Sequence, residues 1–241
     1  DETIELKLSI AESIYANQPQ RAFALMCECV EQKPFHLPAL RMASNTAIQL
    51  NNITLACRYL SMQAKCLENI SLKIIAWKKA SELAKTRINN PTDAIYYLKQ
   101  AFLLEPHRMD ICDELVALLT QQHELQEINN ILQIHVRSIS KSNRISRFIQ
   151  MADFYINDLK EPAQAAVKLR QILEIDHDNL ETYDRLIAIE LSQKHYHEAS
   201  CALESLLEIE NLSEERARKA KSQLAELYVE KLHRSRQAIP L

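Results

Sequence analysis

"RINNPTDAIYYLKQAFLLEP", residues 87–106, opens on a polar Asn-Asn-Pro hinge, continues with apolar residues at helical spacing and stops at Pro106. If this is a chance amphipathic helix it occurs once; if it organises the chain it recurs. Ala94, followed four residues later by Leu98, is the probe. The same pairing of a small or medium residue with a large one returns as Ala22 with Met26, Ala56 with Leu60, Ile128 with Leu132, Ala165 with Leu169 and Ala199 with Leu203, and a last Ala238 follows. The steps are 34, 38, 34, 37, 34 and 39 residues. A period in this range marks stacked helical hairpins, since no single hairpin can bury its apolar face alone.

A second series precedes the first by about one helix and one turn. It reads Leu6, Ser9, Ile10, Ser13 in the first unit, Leu40, Ala43, Ser44, Ala47 in the second and Trp77, Ala80, Ser81, Ala84 in the third. Later units give Cys112, Leu115, Val116, Leu119; Phe148, Met151, Ala152, Tyr155; Tyr183, Leu186, Ile187, Glu190; and Lys221, Leu224, Ala225, Tyr228. Small residues within these sets let paired helices approach, and the large ones fill the space between units.

With these residues in place the chain resembles the tetratricopeptide repeat (TPR) family, most closely in "AWKKASELAKTRINNPTDAIYYLKQAFLLEP" (76–106) and "FIQMADFYINDLKEPAQAAVKLRQILEIDHDN" (148–179). The resemblance implies an all-α fold, a right-handed superhelical solenoid of antiparallel helix pairs, as one domain over 1–241. Its units fall near 3–36, 37–73, 74–107, 109–142, 145–178, 180–213 and 216–241. The seventh stops at "RQAIPL", with no polar capping helix, so a piece of a longer chain is expected. The third, fifth and seventh units carry one extra residue between their helices.

Composition narrows the function. The chain of 241 residues is 47% hydrophobic, enough for a core, yet has no apolar run long enough to span a bilayer and no basic-then-apolar leader. Six cysteines, none in zinc spacing, read as free thiols in a reducing, cytoplasmic setting. A net charge of −3 argues against broad binding to nucleic acid. Glycine is absent. Phosphate cradles and left-handed helix caps draw on glycine, so helix ends are expected to rely on Asn, Asp, Ser and Pro, as at Asn51-Asn52, Asn89-Asn90-Pro91, Ser140–Asn143 and Asp176–Asn179.

Catalytic readings find little support. His195 and His197 lack further metal ligands and are expected to be solvated in a turn. Cys27 and Cys29 project to different sides of a helix, and Cys112 and His135 fall at packing places. No nucleophile–base order or Gly-rich loop is present, so the expectation is no enzyme, no cofactor and no metal.

The resemblance implies that first helices line a concave groove. Transferring its inward places gives Arg41, Asn45, Lys78, Lys79 and Lys85 in units two and three, then Asp110, Asp113, Glu114, Asp153, Glu181 and Asp184 in units four to six. This charge reversal favours an extended peptide, acidic over units two and three and basic beyond. A family subclass clamps a C-terminal carboxylate, but Lys79, Asp110 and Glu114 stand where its Asn, Lys and Arg belong, so no such clamp is expected. The function read from the sequence is a non-catalytic scaffold that binds a protein or peptide in this groove to organise an assembly. The alternative is a structural solenoid segment docking through its convex face or ends. Self-association through the open last unit is a further expectation, whereas an RNA-binding array would want a basic groove.

Overall fold

The computed structural model describes residues 2–238; residue 1 and the last three residues of "RQAIPL" lie outside the described residues. Every regular element among the described residues is helical. The helices form seven pairs: α1 (Glu2–Tyr15) with α2 (Pro19–Gln32), α3 (Leu37–Gln49) with α4 (Ile53–Cys66), α5 (Ile70–Leu83) with α6 (Pro91–Leu104), α7 (Met109–Gln121) with α8 (Leu125–Ser138), α9 (Lys141–Asn157) with α10 (Pro162–Leu173), α11 (Leu180–Ser192) with α12 (Tyr196–Leu207), and α13 (Glu214–Glu226) with the short α14 (Ser235–Ala238). Two π-helical turns, Ala84–Ile88 and Leu227–Lys231, extend α5 and α13. The residues group into two compact units, one ending at Ile131 and the other beginning at Leu132. Within each, a helix packs chiefly on its neighbours in sequence.

Local sequence explains where the helices start. Pro19, Pro38, Pro91 and Pro162 occupy first turns, where the missing N–H costs nothing. The side chains of Asn69, Asn90, Asn179 and Ser213 accept from backbone N–H groups three residues on, at 3.1–3.4 Å.

The repeat seen in the sequence is the core. Ala22, Ala56, Ala94, Ala165 and Ala199 are completely buried, and the large residue four places after each is nearly so. In the third unit Ser81 donates to the Ala94 carbonyl at 2.8 Å, pinning α5 to α6 where both side chains are small. Trp77 stacks on Tyr97 beside them, with Tyr96 edge-on.

The first unit departs from its expected register. α1 buries Ile4, Leu8 and Ala11, whereas Leu6 is 64% and Ile10 44% exposed. The helix is rotated by about two residues, roughly 200°, because Ile4, Leu8 and Ala11 make a better apolar stripe than Leu6, Ser9, Ile10 and Ser13. Lys221, in the large place of the seventh unit, is likewise exposed rather than packed.

The turns within pairs two to seven share one closure. Asn51, Asn89, His123, Lys160, Lys194 and His233 all take left-handed backbone angles, with φ of 54–61°. The next residue then donates its N–H back into the first helix. The acceptor lies five residues earlier for Asn52 to Ala47, Glu124 to Leu119 and His195 to Glu190, at 2.8–3.0 Å. It lies six earlier for Asn90 to Ala84, Glu161 to Tyr155 and Arg234 to Tyr228, at 2.7–3.0 Å. The extra residue of units three, five and seven is thus absorbed by widening the last turn, as a π turn in the third and seventh. A glycine-free chain therefore still builds left-handed caps, and four of the six use His or Lys, contrary to the expected reliance on Asn, Asp, Ser and Pro.

Candidate partner-binding face

In the unit that ends at Ile131, the predicted site residues lie on the exposed sides of α3, α5 and α7, and several meet across successive first helices. Lys78 on α5 stands 3.3 Å from Asp110 and 3.4 Å from Glu114 on α7. Lys79 donates to Asn45 on α3 at 3.4 Å. Arg87 donates to Asn51 at 3.0 Å, and the Tyr15 hydroxyl donates to Gln49. Arg41, on α3, and Lys85, on the π turn, are exposed and stand outside these bridges; Asp113 is exposed on α7. Arg108 grips both oxygens of Asp110 at 2.7 and 2.9 Å. That hydrogen bonding, with Lys78 assisting against partial burial, holds the Asp110 carboxyl at about 2.

Between α3 and α5 a cleft of about 510 Å³ opens, with Asn45, Gln49, Lys79, Glu82, Thr86 and Arg87 around Ile48 and Leu83. Two amides, two cations, a hydroxyl and the Glu82 carboxylate thus surround two apolar side chains.

In the unit that begins at Leu132, Asp153 on α9 accepts from Arg185 on α11, and Asp184 on α11 accepts from Arg216 on α13. Glu181 is exposed on α11. The sequence reading took these carboxylates as an acidic run and missed Arg185 and Arg216. The signal was present: each arginine follows its aspartate by 32 residues, as Asp110 follows Lys78.

His195 lies in the turn before α12, half exposed as expected, and its Nδ1 lies 2.9 Å from the carboxylate of Glu190, which is 2% exposed and also receives Arg170. Glu190 occupies a place that other units fill with Ala, Leu or Tyr, so its charge is buried only because Arg170 and His195 reach it. His197 lies within α12, and His135 is fully buried.

Among the described residues no group of three or more His, Cys, Asp or Glu is placed to hold a metal ion, and no helix is long and apolar enough to cross a membrane. The six cysteines are free thiols. Burial pushes the Cys57 thiol up to about 11, with the Asp93 charge adding, while Cys201 is exposed.

No protein-family model and no curated protein matches the chain. Solved structures do. The C-terminal part of a TPR repeat-containing protein from Cytophaga hutchinsonii is 13% identical, covering 96% of this chain and 92% of that one with a TM-score of 0.42. MamA is 14% identical over 75% of this chain and 95% of that one, TM-score 0.39. YrrB, described as a TPR protein with an unusual peptide-binding site, is 16% identical over 78% of this chain and 90% of that one, TM-score 0.35.

Proposed function

We propose that the chain is a non-catalytic protein-interaction scaffold that takes an acidic, extended peptide on the first-helix face of α3 and α5. The observation that carries this is the α3–α5 cleft, where two cations, Lys79 and Arg87, outnumber the one carboxylate, Glu82, around exposed amides and the apolar Ile48 and Leu83, with Arg41 on the same helix as Asn45. Lys78 is a weaker contributor than the sequence suggested, since Asp110 and Glu114 already neutralise it.

The test is fluorescence anisotropy with a labelled peptide of alternating Glu and Leu. Saturable binding is expected, weakened at least about tenfold by Arg41→Glu with Lys79→Glu at unchanged helicity. Absence of saturation, or equal binding by the variant, would remove the reading. A second reading, a purely structural segment, is favoured by the bridges Lys78–Asp110, Arg185–Asp153 and Arg216–Asp184, which tie first helices to one another instead of leaving them for a ligand.

A further inference from the structure

Charge between the end of α8 and the start of α9 follows a different rule. No Asp or Glu occurs between Glu127 and Asp153, while Arg137, Lys141, Arg144 and Arg147 all fall in that interval. In the unit beginning at Leu132, the end of α8, the start of α9 and the middle of α10 bring Arg137, Arg144 and Lys168 around one cleft of about 300 Å³. Its apolar residues are Val136, Phe148 and Met151, which are 8%, 6% and 1% exposed. Gln133 and Gln171 complete the lining, and no lining residue is acidic.

Two of the three cations are held in place, while Arg137 is exposed at the rim. Lys168 lies 5.9 Å above the Phe148 ring and donates to Gln171 at 3.3 Å. Arg144 donates through Nε to the Ile139 carbonyl at 3.2 Å, which fixes one edge of its guanidinium. Burial lowers the Lys168 pKa and the like charge of Arg137 lowers it further. Five cations elsewhere in this chain face carboxylates: Lys78 meets Asp110, Lys99 meets Glu127, Arg170 meets Glu190, Arg185 meets Asp153 and Arg216 meets Asp184. Here three positive side chains share a confined space whose wall supplies no counter-charge, and a bound anion relieves their repulsion.

We propose that this cleft binds a phosphoryl group carried on a peptide side chain, with Arg137, Arg144 and Lys168 taking the oxygens and the exposed edge of Phe148, backed by the buried Met151, meeting the apolar stem. Three cations match a dianion better than a single carboxylate, and two guanidinium forks suit phosphoryl oxygens. A long polyanion fits less well. It needs a basic stripe, whereas this cleft is small and belongs to a chain of net charge −3. The inference adds a site in the other unit and stands whether or not the α3–α5 cleft takes a peptide.

The experiment is amide-proton NMR of the full chain, titrated separately with phenyl phosphate, inorganic phosphate and benzoate at up to about 20 mM. Phenyl phosphate is expected to shift the Arg137, Phe148 and Lys168 signals saturably, binding at least about tenfold more tightly than benzoate and more tightly than inorganic phosphate. Arg137→Gln and Lys168→Gln should each weaken it at least about fivefold, while Lys141→Gln, the same charge change outside the cleft, should not. Should Arg137→Gln fail to fold, Lys168→Gln alone decides. No saturation, equal affinity for benzoate, or equal loss with Lys141→Gln would overturn the site. To separate sources, a short phosphotyrosine peptide and a short single-stranded RNA then compete for bound phenyl phosphate. Displacement by the peptide at the lower concentration supports the proposal, and displacement by the RNA at the lower concentration overturns the peptide assignment.

Discussion

Glu190 is a carboxylate in a place built for an apolar side chain, and its neighbours show how it is kept there. Arg170 reaches it from α10 and His195 from the turn that its own backbone carbonyl closes. Removing the carboxylate leaves those two groups, and replacing it with alanine also leaves a gap beside Leu186 and Ile187. Glu190→Ala should therefore lower stability by about 2–3 kcal/mol in urea unfolding, whereas Glu190→Leu, which keeps the volume and removes the buried charge, should cost less. Asp110 represents the opposite case, an exposed carboxylate held by cations. Its folded pKa is depressed, from an ordinary 3.8 to about 2. Its contribution is therefore complete above the ordinary carboxylate range and is lost as pH falls from about 4 towards 2. Its side chain is half exposed, so the effect is small, about 1 kcal/mol or less. Comparing Asp110→Asn with the parent protein between pH 2 and 5 should show the variant with the flatter acid limb.

The turn between paired helices sets the next scale. Six turns place a non-glycine residue at positive φ, which costs about 1–2 kcal/mol at an ordinary residue and less at asparagine. Glycine at Lys160, Lys194, His123 or His233 relieves that cost while loosening the unfolded chain, so each substitution should raise stability by about 0.5–1 kcal/mol in thermal or urea unfolding. Glycine at Asn51 or Asn89 should gain less. This element was only half legible in the sequence. Asn51 and Asn89 announced themselves by residue type; His123, Lys160, Lys194 and His233 did not, because what selects them is their place in the repeat rather than their own preference. The helices themselves were legible through Ala22, Ala56, Ala94, Ala165 and Ala199, since a small side chain lets two helices cross closely; Ile128 takes that place in the fourth unit and is buried as well. The rotation of α1 was not. Counting back from Ala22 could not tell which of two apolar stripes of α1 would face α2. The charged faces misled for a related reason: each first helix was read alone, while Lys78, Arg185 and Arg216 act across a 32-residue step.

Within each of the two units that make up the molecule, helices that pack chiefly on their sequence neighbours make stability a sum of local terms. A closed core would spread any disturbance through all its members; a stacked array confines it. Ala94 provides the measurement, being completely buried on α6 where Ser81 of α5 bonds its carbonyl. Ala94→Leu must push α5 from α6 and break that bond, at a cost of about 2–4 kcal/mol. If the contacts act locally, hydrogen exchange of the variant should quicken in α4 to α7, the helices packed on the disturbed pair, and stay at the parent rate in α11 to α13, which pack on their own sequence neighbours. Uniform quickening along the chain would mean that the helices unfold as one cooperative body, and the reading of the chain as an array of local interfaces would fail with it. Glu190→Ala is the reciprocal disturbance and should quicken α10 to α12 while sparing α3 to α6.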